Sequence, residues 1–268
     1  MKAVVFDLDD TLLRDNLTIS DFSVHVFQRL REKGFSIIAA SGRAQLSMKP
    51  YVEQLSCVTA YISCNGAEIW DGETHQLIRQ EQFSSDTAIE IALFAEKHSC
   101  YAQVYEGDRF FFNQYDIFAE KYAAASKLTG VYAGKLSEFI HEPRNKILMI
   151  ADKAKIARMY TEAIKLFSDR ASVTCSKPFY LEFNPLNATK GKALAFIAGY
   201  LSIRTEDVIA FGDSLNDLSM LQTAGLAVMV SNGWKEIRPF CDVVCQSNEN
   251  DGPAQYLNDH YLNGEVMM

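Results

Sequence analysis

The chain has 268 residues, of which 48% are hydrophobic and 22% charged. This is typical of a soluble globular protein with one large or two modest domains. The formal net charge of −8 disfavours nonspecific binding to nucleic acid or to an anionic membrane, so we expect neither partner. Neither a secretory signal nor the roughly 18 apolar residues of a membrane helix is present in the sequence, and the six cysteines lack paired C-x-x-C spacing. We therefore expect a cytoplasmic protein with reduced thiols.

The first third of the chain alternates strand and helix. Its predicted elements are a strand over 3–6, a helix from the N-cap Ser20 to Gly34, a strand over 36–40, a helix over 44–55 and a strand over 60–63. Such alternation indicates an α/β fold with a doubly wound, Rossmann-like parallel sheet. In these sheets ligands bind beyond the carboxyl ends of the strands.

The middle of the chain has a different pattern. Two apolar segments flank the turn signal Glu106-Gly107-Asp108 and predict a hairpin. The later predicted elements are a strand over 146–150, a helix over 156–167 and strands over 172–174 and 179–183. We interpret residues 83–183 as an α+β domain inserted into a catalytic core made of 1–82 and 184–268. This stretch is called the inserted segment below.

The last third returns to the α/β pattern. Its predicted elements are a helix over 190–201 and buried strands over 207–211, 226–230 and 242–245. The strand over 207–211 is followed at once by Gly212-Asp213-Ser214-Leu215-Asn216-Asp217. Polar side chains therefore follow the end of another predicted strand, as they do after the first one.

The first strand continues into Asp7-Leu8-Asp9-Asp10-Thr11. Side chains alternate along extended backbone, so the carboxylates of Asp7 and Asp9 fall on the same side. Two like charges at such proximity repel unless a cation lies between them or one is protonated. Mg²⁺ with oxygen ligands is the usual occupant. The pattern predicts a divalent-metal site, against the alternative of a solvated acidic turn.

Polar clusters stand at the predicted strand ends and helix starts. They are Asp7/Asp9/Thr11, Ser41/Gly42/Arg43, Lys190 and Asp213/Asn216/Asp217. In these clusters and in their order the chain resembles the haloacid dehalogenase superfamily of phosphotransferases. The likeness is closer to its Cof-type subfamily IIB phosphatases, whose α/β cap is inserted between the second and third motifs, where the inserted segment lies here.

The resemblance implies a mechanism with two carboxylates. Asp7 would attack phosphorus and form an aspartyl-phosphate, and Asp9 would protonate the leaving oxygen and later deprotonate water. The implied cofactor is Mg²⁺, held by Asp7, the backbone carbonyl of Asp9, Asp213 and Asp217. Thr11 would brace the first loop. Apart from the family, Asp213 and Asp217 could be an N-cap and a first-turn acid of a helix.

The resemblance also implies contacts to the substrate. The phosphate-binding residues would be Ser41, Gly42, Lys190 and Asn216, the last orienting either Lys190 or a phosphate oxygen. Arg43 and Asn65 are substrate-binding candidates. On their own, Ser41 would be a helix N-cap, Lys190 a surface lysine, Arg43 a salt-bridge partner and Asn65 a turn residue.

We therefore expect a magnesium-dependent phosphatase acting on small phosphorylated metabolites, either sugar phosphates or phosphorylated cofactors such as flavin mononucleotide or pyridoxal phosphate. Tyr105, Arg109 and Glu182 are polar candidates for specificity in the cap. A sugar phosphomutase is the alternative within the same chemistry. A non-catalytic signalling module phosphorylated on aspartate is a third possibility, although receiver domains of that class are about half this length. The chain is expected to be a monomer or a homodimer.

Overall fold

A computed structural model describes residues 1–107, 109–263 and 266; Asp108 of the predicted hairpin turn lies outside the described residues. The strands are β1 Ala3–Asp7, β2 Ser36–Ala40, β3 Ala60–Ser63, β4 Glu68–Asp71, β5 Leu77–Gln80, β6 Tyr101–Glu106, β7 Arg109–Phe112, β8 Thr129–Tyr132, β9 Ile147–Ile150, β10 Ala171–Thr174, β11 Tyr180–Pro185, β12 Val208–Gly212, β13 Leu226–Val230 and β14 Val243–Cys245. The α-helices are α1 Asp21–Glu32, α2 Gln45–Leu55, α3 Ser85–Lys97, α4 Ile117–Ser126, α5 Leu136–Phe139, α6 Lys153–Phe167, α7 Lys190–Tyr200, α8 Leu218–Thr223 and α9 Gly252–Tyr261.

The larger sheet, called the core sheet, has the strand order β14-β13-β12-β1-β2-β3-β4-β5. Its strands from β14 to β3 are parallel, which confirms the predicted α/β class and doubly wound sheet. The strands β4 and β5 add an antiparallel edge that was not predicted. Each has only four residues and carries several polar side chains, so it gave a weak apolar signal.

The strand β1 is central because both of its faces are buried. Val4 and Phe6 point into one apolar layer together with Phe27 of α1, whereas Ala3 and Val5 point into the other. This alternation follows from the two-residue period of a strand. The four apolar residues of β1 therefore place the residue after them, Asp7, at the carboxyl edge of the sheet.

The second sheet, called the small sheet, has the order β10-β11-β9-β6-β7-β8. One face packs against α3, α5 and α6, and the other turns its aromatic residues toward loops of the core sheet. The last strand, β11, continues to Pro185, two residues past the predicted end of the inserted segment. The division into a core of 1–82 and 184–268 with an inserted domain of 83–183 stays a prediction.

Local signals for helix ends agree with the structure. The Ser20 hydroxyl accepts a hydrogen bond from the backbone N–H of Ser23, so it caps α1 as predicted. The helix α7 begins at Lys190 and is capped by Thr189, whose hydroxyl accepts from the N–H of Lys192. Across the described residues, none of the helices combines the length and apolarity needed to cross a membrane.

The two glycines of α7 provide a matched pair for testing its packing. A Cβ at Gly191 would lie 2.3 Å from the carbonyl oxygen of Ser219 in α8, whereas a Cβ at Gly199 would meet nothing within 4 Å. We expect Gly199→Ala to raise the free energy of unfolding by about 0.4 to 1 kcal/mol, because alanine has less backbone freedom to lose. We expect Gly191→Ala to lower it by about 1 to 3 kcal/mol through overpacking. Urea unfolding measures both, and equal effects of the two substitutions would contradict this packing.

Candidate active site

The site begins with the parallel register of three neighbouring strands. β1 lies between β2 and β12, with Asp7 opposite Ala40 and Phe6 opposite Phe211. The residues that follow these strands therefore emerge side by side at one edge: Asp7 and Asp9 after β1, Ser41 after β2 and Asp213 after β12. This is the edge at which ligands bind in doubly wound sheets.

The sequence predicts Lys190 as a site residue from its place in the motif order alone, and the structure puts it at the centre of the acidic groups. Its side chain is fully buried, and its Nζ donates hydrogen bonds to Asp7 and to Oδ1 of Asp217, the latter at 2.6 Å. The other oxygen of Asp217 accepts from the backbone N–H groups of Asp213 and Ser214 at 3.0 and 3.2 Å. Asp217 is therefore held from both sides.

Three carboxylates converge beside this lysine. One oxygen from each of Asp7, Asp213 and Asp217 lies within 4.8 Å of the others, and all three residues are buried. Thr11 braces the first loop by donating to Oδ1 of Asp213 at 3.1 Å. Carboxylate oxygens are the hard ligands that Mg²⁺ prefers, and the cluster carries more negative charge than one ammonium can balance. The donor set therefore fits a divalent cation.

The electrostatics of the cluster follow from burial and crowding. Burial is the largest cause that raises the pKa of Asp7 well above its ordinary value; Lys190 acts against it, and Asp217 and Asp9 add to it. Burial also raises the pKa of Asp213 well above its usual range, assisted by Asp217 and Asp7. Burial alone would lower the pKa of Lys190, but the charges of Asp217 and Asp7 outweigh it and raise that pKa. The lysine therefore stays charged.

Asp9 occupies a different environment from Asp7. The guanidinium of Arg43 donates from Nε to Oδ2 at 2.7 Å and from Nη2 to Oδ1 at 2.8 Å, a two-point pair. Burial would raise the pKa of Asp9, but the hydrogen bonds and charge of Arg43 outweigh it and lower that pKa below its ordinary value. Asp9 is therefore an ionised base in this arrangement. Of the two sequence interpretations of Arg43, the salt bridge is the one that the structure contains.

The loop after β2 supplies two of the predicted phosphate-binding residues. The hydroxyl of Ser41 accepts from the backbone N–H of Arg43 at 3.1 Å, which keeps the loop tight. A Cβ at Gly42 would lie 3.0 Å from Oδ1 of Asn65, so the loop approaches its neighbour closely. Both Ser41 and Gly42 line the cavity described below.

Asn216 and Asn65 contact each other rather than Lys190. Nδ2 of Asn216 donates to Oδ1 of Asn65 at 3.0 Å, and Oδ1 of Asn216 accepts from the Ser214 hydroxyl at 2.8 Å. Nδ2 of Asn65 donates to Glu182 at 2.9 Å and to Asn184 at 3.0 Å. Asn65 thus links the core loops to β11 and stands behind the cavity, while Asn216 lines it. Substrate binding by Asn65 stays a prediction.

A cavity between the two sheets joins these residues. Its lining residues are Asp7, Asp9, Leu17, Ser41, Gly42, Arg43, Tyr122, Ala125, Ser126, Lys146, Leu148, Ser176, Lys177, Tyr180, Glu182, Asp213, Ser214 and Asn216. The contributions from the inserted segment, 122 to 182, stand opposite the carboxyl ends of the core strands. Seven of the predicted site residues therefore line one cavity with the inserted segment, whereas Lys190, Asp217 and Asn65 do not line it.

The sequence missed a buried ion pair in this cavity. Lys146 and Glu182 are each 2% exposed and 2.6 Å apart. Nζ of Lys146 also donates to the backbone carbonyl of Gly42 at 2.5 Å, which ties the small sheet to the loop after β2. A lysine directly before the apolar strand β9 was the only local signal. Of the polar candidates in the inserted segment, Glu182 lines the cavity, Tyr105 lies behind Tyr122, and Arg109 is exposed on β7.

Comparison with known proteins places this arrangement among related chains. A model of the family of haloacid dehalogenase-like hydrolases matches residues 4–257. A putative phosphatase of Haemophilus influenzae is 29% identical over 97% of this chain and 98% of its own length. A 5-amino-6-(5-phospho-D-ribitylamino)uracil phosphatase of Bacillus subtilis is 28% identical over 98% of this chain and 96% of its own. The solved structure of a haloacid dehalogenase-like hydrolase from B. subtilis matches with a TM-score of 0.87 at 26% identity, covering 97% of this chain and 100% of that one.

The Arg43–Asp9 pair makes a prediction about stability and pH. At pH 7 we expect Arg43→Met to lower the free energy of unfolding by about 2 kcal/mol, because a largely buried carboxylate loses its charged donors. The folded-state pKa of Asp9 is lowered, so this stabilisation is present above the unfolded pKa of about 3.9 and is lost as the pH falls through the folded value.

Urea unfolding of wild type and Arg43→Met from pH 7 to pH 3 measures this difference. The matched control is Arg204→Met, which removes a guanidinium that is itself exposed from its pair with the half-buried Asp207 and should change stability little. A wild-type advantage that stays constant below about pH 4 would show that Arg43 acts through packing and not through Asp9.

Proposed function

The chain belongs to the haloacid dehalogenase-like hydrolase family and is a phosphatase, and we propose that it hydrolyses phosphate monoesters of small metabolites through an aspartyl-phosphate on Asp7, with Mg²⁺ as cofactor. The observation that carries the proposal is the group of Asp7, Asp213 and Asp217 around the buried ammonium of Lys190. A carboxylate nucleophile, ligands for a cation and a positive charge for phosphate meet there.

Charge is the first obstacle to the reaction. A phosphate monoester is a dianion, and the Asp7 carboxylate that would attack it is also negative. Lys190 supplies a fixed positive charge next to the attacking oxygen, and the hydroxyl of Ser41 is placed to donate to a phosphoryl oxygen. When bound by Asp7, Asp213, Asp217 and the backbone carbonyl of Asp9, Mg²⁺ would supply the remaining positive charge.

In the proposed first step, an oxygen of Asp7 forms a bond to phosphorus and the bond from phosphorus to the leaving oxygen breaks. The leaving oxygen keeps the electron pair and takes a proton from Asp9. In the second step, water attacks phosphorus, Asp9 accepts a proton from that water, and Asp7 is released with inorganic phosphate. Asp9 returns to its protonated form, so the cycle closes.

The Arg43 pair bears on this cycle. With its carboxylate bound to Arg43, Asp9 is in the form that accepts a proton, which suits the second step. To act as the acid of the first step it has to separate from Arg43 and gain a proton. A dianionic phosphate entering beside Arg43 competes with Asp9 for the guanidinium, and this competition would release Asp9.

The position of the site between the two sheets supports a small substrate. The small sheet contributes Lys146, Tyr180 and Glu182 opposite the carboxylate cluster, so a leaving group has to fit between the two sheets. The relative that acts on a phosphorylated ribitylaminouracil is consistent with either a sugar-phosphate or a cofactor-like leaving group. We expect efficient turnover of metabolite phosphates and little release of phosphate from a folded phosphoprotein.

The first test is steady-state phosphate release from a panel of sugar phosphates, flavin mononucleotide and pyridoxal 5′-phosphate, with Mg²⁺ and with EDTA. We expect metal-dependent release that falls by at least about 10³-fold in Asp7→Asn, because the nucleophile is lost. The control is Asp259→Asn, the same change at an exposed position of α9. Release that is indifferent to Asp7 would refute the proposal.

Isomerisation of a sugar phosphate that requires a bisphosphate would identify a mutase, and a persistent phosphoprotein without turnover would identify a signalling module.

A second test measures the cation without turnover. Without metal we expect Asp213→Asn to be at least as stable as wild type, because it removes one of three crowded negative charges. With Mg²⁺ at a hundredfold excess over its Kd, wild type should gain about 2.7 kcal/mol in its free energy of unfolding. Thermal unfolding with and without Mg²⁺ measures both values, and Asp259→Asn should gain as much as wild type. An equal gain in Asp213→Asn would rule out this cation site.

A further inference from the structure

A series of hydrogen bonds runs through the small sheet and ends at the cavity. The hydroxyl of Tyr101 donates to Oε1 of Gln103, Nε2 of Gln103 donates to the hydroxyl of Tyr105, and that hydroxyl donates to the hydroxyl of Tyr122, each at 2.8 Å. The first three residues stand on one face of β6, as the two-residue period requires. Tyr122, on α4, lines the cavity. We call these four residues the tyrosine series.

The direction of the series follows from its buried end. Tyr101 is 1% exposed and Gln103 fully buried, and Gln103 is the hydrogen-bond partner found for Tyr101 in the described part of the chain. If the amide of Gln103 were reversed, its NH2 group would donate to the Tyr101 hydroxyl oxygen. The buried O–H of Tyr101 would then have no acceptor, which is costly. With the amide in its observed orientation, the hydroxyls of Tyr101 and Tyr105 both donate within the series. The hydroxyl of Tyr122 is the one that donates to none of the other three residues, and Tyr122 lines the cavity, where a ligand can accept its hydrogen bond.

The surroundings of the series are apolar, so burying its polar atoms there costs free energy. Tyr101 and Tyr105 pack in a cluster with Phe110 and Leu148, and the ring of Phe110 stands edge-on to Tyr122 with centroids 5.1 Å apart. An apolar residue at Gln103 would fill this space without a buried amide. Burial raises the pKa of Tyr122 well above its ordinary value, so its hydroxyl keeps its proton and remains a donor.

We propose that Tyr122 determines specificity by donating a hydrogen bond to an acceptor atom on the leaving group of the substrate, and that Gln103 and Tyr105 are positioning residues that orient its hydroxyl. The inference rests on the proposed phosphatase function. The substrate class it selects is phosphate monoesters whose leaving group carries a hydroxyl, carbonyl or ring-nitrogen acceptor, in preference to purely apolar leaving groups.

The test compares two kinds of leaving group. Phenyl phosphate has a leaving group with no acceptor besides the ester oxygen, whereas glucose 6-phosphate, ribose 5-phosphate and pyridoxal 5′-phosphate carry several. We expect Tyr122→Phe to lower kcat/KM about tenfold for the best metabolite phosphate and less than about twofold for phenyl phosphate. Tyr105→Phe should lower kcat/KM for the metabolite phosphate about threefold, because Tyr122 keeps its hydroxyl but loses the hydrogen bond that orients it.

The matched control is Tyr115→Phe, which removes the same hydroxyl from a residue that is 79% exposed; both substrates should be unaffected. An equal loss on phenyl phosphate and on the metabolite phosphate in Tyr122→Phe would assign the series a structural role and overturn the inference. Unchanged rates on both would overturn it as well. Turnover of phenyl phosphate by wild type reports the phosphatase chemistry without an acceptor on the leaving group. Absence of phosphate release from phenyl phosphate and from every metabolite phosphate would identify a failure of the proposed function itself.

Discussion

The charge balance around Lys190 is the constraint on which the site depends. Three buried carboxylates face one buried ammonium, and buried charges are tolerated only when they are paired and hydrogen-bonded. Here Lys190 holds Asp7 and Asp217, backbone N–H groups hold Asp217 from its other side, and Thr11 holds Asp213. The cluster remains short of positive charge, which is the property expected of a site built for a cation and a dianionic ligand.

Asp9, the proposed acid–base residue, and the inserted segment are connected through one side chain. Arg43 binds Asp9 at two points, and its Nη1 donates to the hydroxyl of Ser47 and to the carbonyl of Ala125 at the end of α4. The protonation state of Asp9 is therefore linked to the position of α4 relative to the core sheet. Tyr122 lies on the same helix, one turn before Ala125, so the proposed substrate contact and the proposed acid–base chemistry share a structural support.

Sequence patterns could predict the features that depend on residues close together in the chain and on the order of the motifs along it. The apolar run before Asp7 fixes β1 and with it the carboxyl edge, and the order of the four motifs places Lys190 among the acids. The Asp9–Arg43 and Lys146–Glu182 pairs could not be predicted, because each joins side chains at least 34 residues apart whose contact depends on how the sheets pack. The edge strands β4 and β5 were missed for a different reason: half of the residues in each are polar, and neither sequence is continuously apolar or strictly alternating.

The hydrogen bond between Lys146 and Gly42 has a consequence for how the sequence of such a protein can diverge. The acceptor in the core is a backbone carbonyl, which every amino acid provides, so no substitution at position 42 removes it by changing its side chain. The donor, by contrast, is a side chain of the inserted segment. Substitutions in the inserted segment can therefore change which ligand the cavity prefers. The loop after β2, on the other side of the cavity, keeps the same shape and the same backbone acceptor.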